Sequence, residues 1–339
     1  MSKFTGNLKL PNSLKSIGKQ AFAACRGFVG DLVIPNSVKE IKDSTFVQCY
    51  GFNGNLVIGD SVITIGQFVF QGCYRFKTLT LGKSLERVGY ASFSGFSNLS
   101  GSLVIPDSVK EIEYGAFEYC SCDRLIIGNS IEIIGEAAFH DCKGFRGELI
   151  IPDSVKKIGN AAFLNCSGFE SLKLGKSVEK IEDTAFSNCS GFLGILTIQD
   201  SVVEIGQYAF NGCNGFSGNL IIPDSVEKIG SYAFSNCTGF NKNVIIGKSV
   251  KEIGGHILEN CNLRTCYITQ DTISSIDDTS FEGVSSDMRI YTDAEEDELD
   301  WYDCYEYWNA YYKDWKDAKF LEVTYDTSLE DYQREFYIH

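Results

Sequence analysis

Basic residues are scarce in this chain, and histidine, methionine and proline are scarcer still. Its 339 residues carry 30 Lys and Arg against 45 Asp and Glu, a formal net charge of −15. The imbalance is concentrated. Residues 291–339 hold 15 acidic and 4 basic side chains, a net of −11, which leaves −4 for the first 290. Without a basic stripe there is nothing to neutralise a run of phosphates, so nucleic acid is excluded as a partner. No apolar run approaches the ~18 residues that a membrane-spanning helix needs. The opening MSKFTGNLKL has neither the basic n-region nor the apolar h-region of a secretory signal. The three histidines, His140, His256 and His339, have no motif partners. No nucleophile elbow, zinc-protease helix, P-loop or dinucleotide fingerprint occurs, so nothing points to an enzyme or to a cofactor. CxxC pairs are absent and Cys120/Cys122 is too tight for the usual zinc spacing. The acidic run 293–300 offers oxygen ligands for calcium but lacks the turn Gly and closing Glu of an EF-hand loop. No metal site is expected. Acidic side chains at a helix start are favourable on their own.

What the chain has is repetition. The segment LIIPDSVEKIGSYAFSNCTGF (220–240) reads like LTIQDSVVEIGQYAFNGCNGF (196–216), and nearly every stretch back to Leu8 follows suit. The Phe of the Ala-Phe pair recurs at Phe22, Phe46, Phe70, Phe93, Phe117, Phe139, Phe163, Phe186, Phe210, Phe234 and Phe281, with Leu258 standing in once. The period of 22–24 residues gives about twelve repeats, which is the signature of a solenoid. Each repeat opens on a three-residue strand core such as Leu32-Val33-Ile34, whose outer residues face inward and whose middle one faces out. All five prolines follow such a strand directly, and Gly takes the same place in most other repeats. Two residues later a Ser hydroxyl can satisfy buried turn groups. Then comes Val-x-x-Ile-Gly, with Lys/Glu mixtures between the inward Val and Ile; stacking would turn them into charge ladders on a solvated face. Ala-Phe-x-x-Cys closes the coil as a tight helical or turn-like piece. In the 24-residue repeats an extra Gly (30, 54, 101, 147, 194, 218) reads as a bulge that needs positive φ.

The order Leu-x-Ile, Pro-Asp/Asn-Ser-Val, Ile-Gly, Ala-Phe, Cys resembles the BspA-like (Treponema-type) leucine-rich repeat family over residues 4 to 290. The resemblance implies a right-handed superhelix or horseshoe with a parallel β-sheet. It also implies an exported, surface-bound or secreted adhesin-type protein that binds host or microbial proteins. The missing export signal leaves a cytoplasmic protein, such as an intracellular scaffold, as the alternative.

Thirteen cysteines would suggest a disulfide framework, but ten lie three residues after the repeat Phe or its equivalent. Cys122 and Cys266 fall in other inward columns, so twelve of the thirteen are expected as buried, free thiols that act as small hydrophobes. Sequons occur at Asn98, Asn165, Asn188 and Asn236; the last three follow from the repeat wording Asn-Cys-Ser/Thr.

Two units are expected: a solenoid over 1–290 and a C-terminal cap over 291–339. Trp301, Tyr305, Trp308, Tyr312 and Trp315 fall at helical spacing in the acidic tail. They read as a helix that closes the stack, or alternatively as a carbohydrate-stacking surface. No matching N-terminal cover is visible. An edge strand at Asn7–Leu10 is therefore expected, with self-association through the first repeat unless the chain continues upstream.

The outward residues of the strand cores form a column that includes Val33, Val57, Val104, Ile126, Ile150, Ile221, Ile245 and Tyr267. Such residues suit a sheet whatever faces them. A contiguous exposed apolar column equally suits a protein-binding face. These residues are the candidate interaction site.

Overall fold

The computed structural model describes residues 4–268, 279–284 and 288–292. The coils stack in register, and every strand pair is parallel. The strand cores pair as expected. Leu32–Ile34, Asn55–Ile58 and Thr78–Thr80 form one short ladder. Ser102–Val104 pairs with Arg124–Ile126, and Glu148–Ile150 with Ser171–Lys173. Gly218–Ile222, Phe240–Ile246, Thr265–Ile268 and Arg289–Thr292 form a fourth group. This sheet is interrupted between groups, and Leu196-Thr197-Ile198 joins none of them.

The longest sheet lies elsewhere. In ten coils the Ile of the Val-x-x-Ile motif (Val88 in one of them) and the residue before it form two-residue strands in sequence, from Glu40–Ile41 to Glu252–Ile253. Most coils thus carry two strands where the motif alone predicts one. Pleating turns the Ile inward, and opposite charges meet on the outer face: Lys180 Nζ lies 2.9 Å from Glu204 and Lys228 Nζ 2.8 Å from Glu252.

Among the described residues the Ala-Phe-x-x-Cys segment is turn rather than helix. Residues two before and two after the Phe are left-handed: Ala161 (φ 53°) and Asn165 (φ 62°) flank Phe163. Such angles break any helix. They also point alternate N–H groups at the next coil. Ala161, Phe163 and Asn165 donate to Asp183, Ala185 and Ser187 carbonyls at 2.8–2.9 Å, while Ala162, Leu164 and Cys166 close local four-residue turns. Every donor is thus satisfied without a helix.

Side chains stack at the pitch of the coils. The Ala-Phe rings from Phe22 to Phe234 lie nearly parallel, with centroids 5.1–5.5 Å apart. The Phe of the Gly-Phe pair forms a second stack, which meets the first edge-on, as between Phe163 and Phe169. Aromatic pairs in these geometries contribute about 0.5–1.5 kcal/mol each beyond burial.

All twelve described cysteines are buried and free. In nine coils the thiol donates to the carbonyl of the Phe one coil earlier, as from Cys189 to Phe163 and from Cys237 to Phe210 at 3.0–3.1 Å. The turn serines do the work expected of them in several coils. Ser108 and Ser154 donate to Leu85 and Ile131 carbonyls at 2.7 Å, whereas Ser37 and Ser225 hydroxyls find no partner among the described residues. Of the six bulge glycines, Gly30, Gly101, Gly147, Gly194 and Gly218 adopt φ of 76–82°, and Gly54 does not.

The first coil differs from expectation. Asn7–Leu10 forms no strand; Thr5–Gly6 pairs instead with Gly27–Phe28. Phe4 stacks on Phe28 at 5.9 Å, which extends the second ring column by one place. The geometric reason is register: the chain follows the Gly-Phe column of the next coil, not its Leu-x-Ile column. The acidic run 293–300 and the aromatic helix expected after it lie outside the described residues.

Candidate protein-binding face

Pleating projects the middle residue of each strand core away from the stack. Val33 is 53% exposed, Val104 47%, Ile126 52% and Ile150 50%, against 0% for Leu32 and Ile34 beside Val33. Val57, Ile221 and Tyr267 are half-buried. Ile245 is a correction: it is only 4% exposed. Its registered neighbours are Ile221 and Tyr267, large side chains that crowd it from both sides in the four-stranded group. The eight residues therefore do not form one open face. Val104, Ile126 and Ile150 form the most exposed run, with Val57 and Val33 two and three coils before Val104, across Thr80. Lys173 ends that run on the other side.

Two exposed residues were not selected from the sequence. Leu193 and Ile195 are 62% and 72% exposed. A signal existed. The residue after the Gly-Phe pair is Asn53, Arg146, Glu170 and Ser217 in other coils, and Leu193 breaks that rule as only Val29 otherwise does. Ile195 likewise stands alone as an apolar residue in a column that is otherwise polar or charged.

Polar ladders border the face. On one side the Asn55 amide donates to Asp31 Oδ1 at 2.6 Å, and Thr78 Oγ1 donates to Asn55 Oδ1 at 2.8 Å. On the other, the Asp or Asn that follows the strand-exit Pro or Gly caps the next coil. Asp107 accepts from the Asn129 amide at 2.8 Å and Asp153 from the Lys176 amide at 2.9 Å. These carboxylates serve as rungs, which explains the Asp/Asn of the motif.

The two described histidines are also committed to packing. His140 lies between Glu118 (Nδ1 to Oε1, 2.9 Å) and Asp141 (Nε2 to Oδ2, 3.1 Å), and Lys143 joins Asp141 at 2.8 Å. His256 stacks on Tyr232 at 4.7 Å. Neither lies beside an activated nucleophile, and no cluster of three or more His, Cys, Asp or Glu among the described residues could hold a metal ion. No helix among the described residues is long and apolar enough to cross a membrane. At the sequons Asn165 and Asn188 the side chains bond to each other at 3.0 Å, an amide ladder rather than a free acceptor.

Similarity to solved structures follows the fold. A leucine-rich repeat protein from Bacteroides ovatus shares 23% identity, with 86% of this chain and 84% of that one covered and a TM-score of 0.56. A leucine rich cell surface protein from Faecalibacterium prausnitzii shares 20%, covering 93% and 87%, with a TM-score of 0.50. The pneumococcal vaccine antigen PcpA shares 19%, covering 85% and 75%, with a TM-score of 0.53. No curated protein sequence matches this one. The sequence pattern of the BspA type leucine rich repeat region matches residues 2–122, 145–218 and 217–296, in six copies. With its coils, ladders and motif order accounted for, the chain belongs to the BspA-type leucine-rich repeat family.

Proposed function

We propose that this chain is a non-catalytic interaction module, an adhesin of the cell surface or secreted space, which binds a host or microbial protein through its strand-core face. The observation that carries the reading is the run Val104, Ile126 and Ile150, each about half exposed: Val104 and Ile126 are registered in one strand pair, and the coils of Ile126 and Ile150 are joined through the second sheet. Exposed contiguous apolar surface on a rigid array suits a protein partner. Support also comes from the cell-surface and antigen descriptions of two similar structures. An intracellular scaffold is the competing reading, and recovery of the native protein from the surface or the cytoplasm of its cell separates the two.

The triple variant Val104→Ser, Ile126→Ser, Ile150→Ser removes the apolar run while leaving its β-capable backbone. Its thermal unfolding should stay close to the parent's, and its capture of partners from a surface-protein extract should fall at least tenfold. Capture that persists in the folded triple variant removes this face from consideration.

A further inference from the structure

Beside the exit of the third coil lies an open cavity of about 430 Å³, lined by Asn53, Tyr74, Arg75, Lys77, Ser97 and Asn98. That volume is within the range of small-ligand sites. None of its lining residues belongs to the exposed run Val104, Ile126 and Ile150.

The cavity has a cause in the repeat. The residue four after each Ala-Phe ring forms a surface column, and in the first coils it is filled by planar groups. The Arg26 guanidinium lies 5.0 Å over the Tyr50 ring, and Tyr50 stacks on Tyr74 with centroids 5.9 Å apart and planes 18° from parallel. In the fourth coil the column holds Ser97, so the stack stops. Tyr74, 45% exposed, is left with one ring face unmatched, and the cavity occupies the place of the next ring.

The neighbouring column is also altered there. In most coils it is Gly, because a Cβ would strike the previous coil; at Gly51 it would come within 2.2 Å of the Arg26 carbonyl. The third and fourth coils carry Arg75 and Asn98 instead. Arg75 and Lys77 are exposed, and neither side chain makes an ion pair or hydrogen bond among the described residues. No carboxylate lines the cavity in a chain of net charge −15. Asn53 Oδ1 accepts from the Gly30 amide at 2.9 Å, which leaves its NH2 to donate, and Asn98 Nδ2 donates to the Arg75 carbonyl at 3.4 Å, which leaves its oxygen to accept.

We propose that this cavity binds an anionic saccharide, with one sugar ring laid on the free face of Tyr74 and its carboxylate or sulfate held by Arg75 and Lys77. A pyranose presents a C–H face that packs on an aromatic ring. Its hydroxyls both donate and accept, which matches an amide donor, an amide acceptor and a serine. A polynucleotide would need a longer basic track and further stacking rings.

The test is a titration of the full chain with five probes: a sulfated uronate tetrasaccharide, an unsulfated uronate tetrasaccharide, a neutral tetrasaccharide, inorganic sulfate and a six-nucleotide single strand. Saturable binding of either anionic saccharide, with the neutral one and sulfate at least tenfold weaker, supports the site, and the tighter of the two identifies the anion. Arg75→Glu with Lys77→Glu should weaken that binding at least tenfold. Ser97→Tyr should do the same with no change of charge, since it fills the vacant place in the stack. Unchanged thermal unfolding shows that each variant folds. Absence of saturable binding, equal binding of inorganic sulfate, tighter binding of a six-nucleotide single strand, or full binding by Ser97→Tyr would overturn the proposal.

Discussion

At the scale of the residue, the repeat cysteines combine two tasks: each fills a small volume and each donates to a buried carbonyl. Burial pushes the Cys49 and Cys266 thiols up to about 12, so at neutral pH almost no thiolate is present to react. A thiol reagent should therefore leave the twelve repeat thiols of the native chain unmodified and label them after denaturation. Rapid native labelling at Cys189 or Cys213 would contradict the packing described. The left-handed residues carry a second expectation. Thr184 sits at φ 54°, a costly conformation for a β-branched side chain. Thr184→Gly should raise stability by about 1 kcal/mol, as read by chemical denaturation, whereas Ala185→Gly on the buried side should lower it.

At the scale of the element, what stabilises a coil is its ladder to the next one. Asp43 illustrates this, since the Gln67 amide donates to its Oδ1 at 3.1 Å. That bond, with the Lys19 ammonium 3.3 Å away, holds the carboxyl below the usual value of 3.8 despite some opposing burial. A carboxylate with a folded value below its unfolded one adds stability above the unfolded value and loses it as pH falls through the folded one. Unfolding temperature should accordingly drop below about pH 4, and Asp43→Asn should show a shallower drop. An equal drop in the variant would mean that other carboxylates dominate. The Lys/Glu pairs on the long sheet contribute less, because both partners are largely solvated.

For the whole molecule, the stack is close to one-dimensional, so its weak point is wherever one coil fails to pair with the next. The strand-core ladder breaks between its groups, and it breaks most fully at Leu196-Thr197-Ile198, which pairs with neither Ser171–Lys173 nor Gly218–Ile222. The same coil exposes Leu193 and Ile195. Backbone amides of 196–198 should exchange with deuterium faster than those of Leu220 to Ile222, by at least tenfold. Equal protection would show that the ladder is continuous there in solution. The second sheet runs unbroken past this point through Lys180–Ile181 and Glu204–Ile205, so opening at 196–198 is expected to stay local.

The sequence by itself determined the period, the inward columns and the fate of the cysteines, because each follows from one residue type at one spacing. Val33, Val104, Ile126 and Ile150 were legible as exposed for the same reason: a strand alternates. What the tertiary structure decided is whatever depends on the neighbouring coil. Ile245 is closed over by Ile221 and Tyr267, which sit 24 residues before it and 22 after it. The second ladder exists because Ile residues one period apart come into register, although two-residue strands carry no signal of their own. The recess over Tyr74 exists because Ser97 follows it in a column that is contiguous only once the chain is coiled.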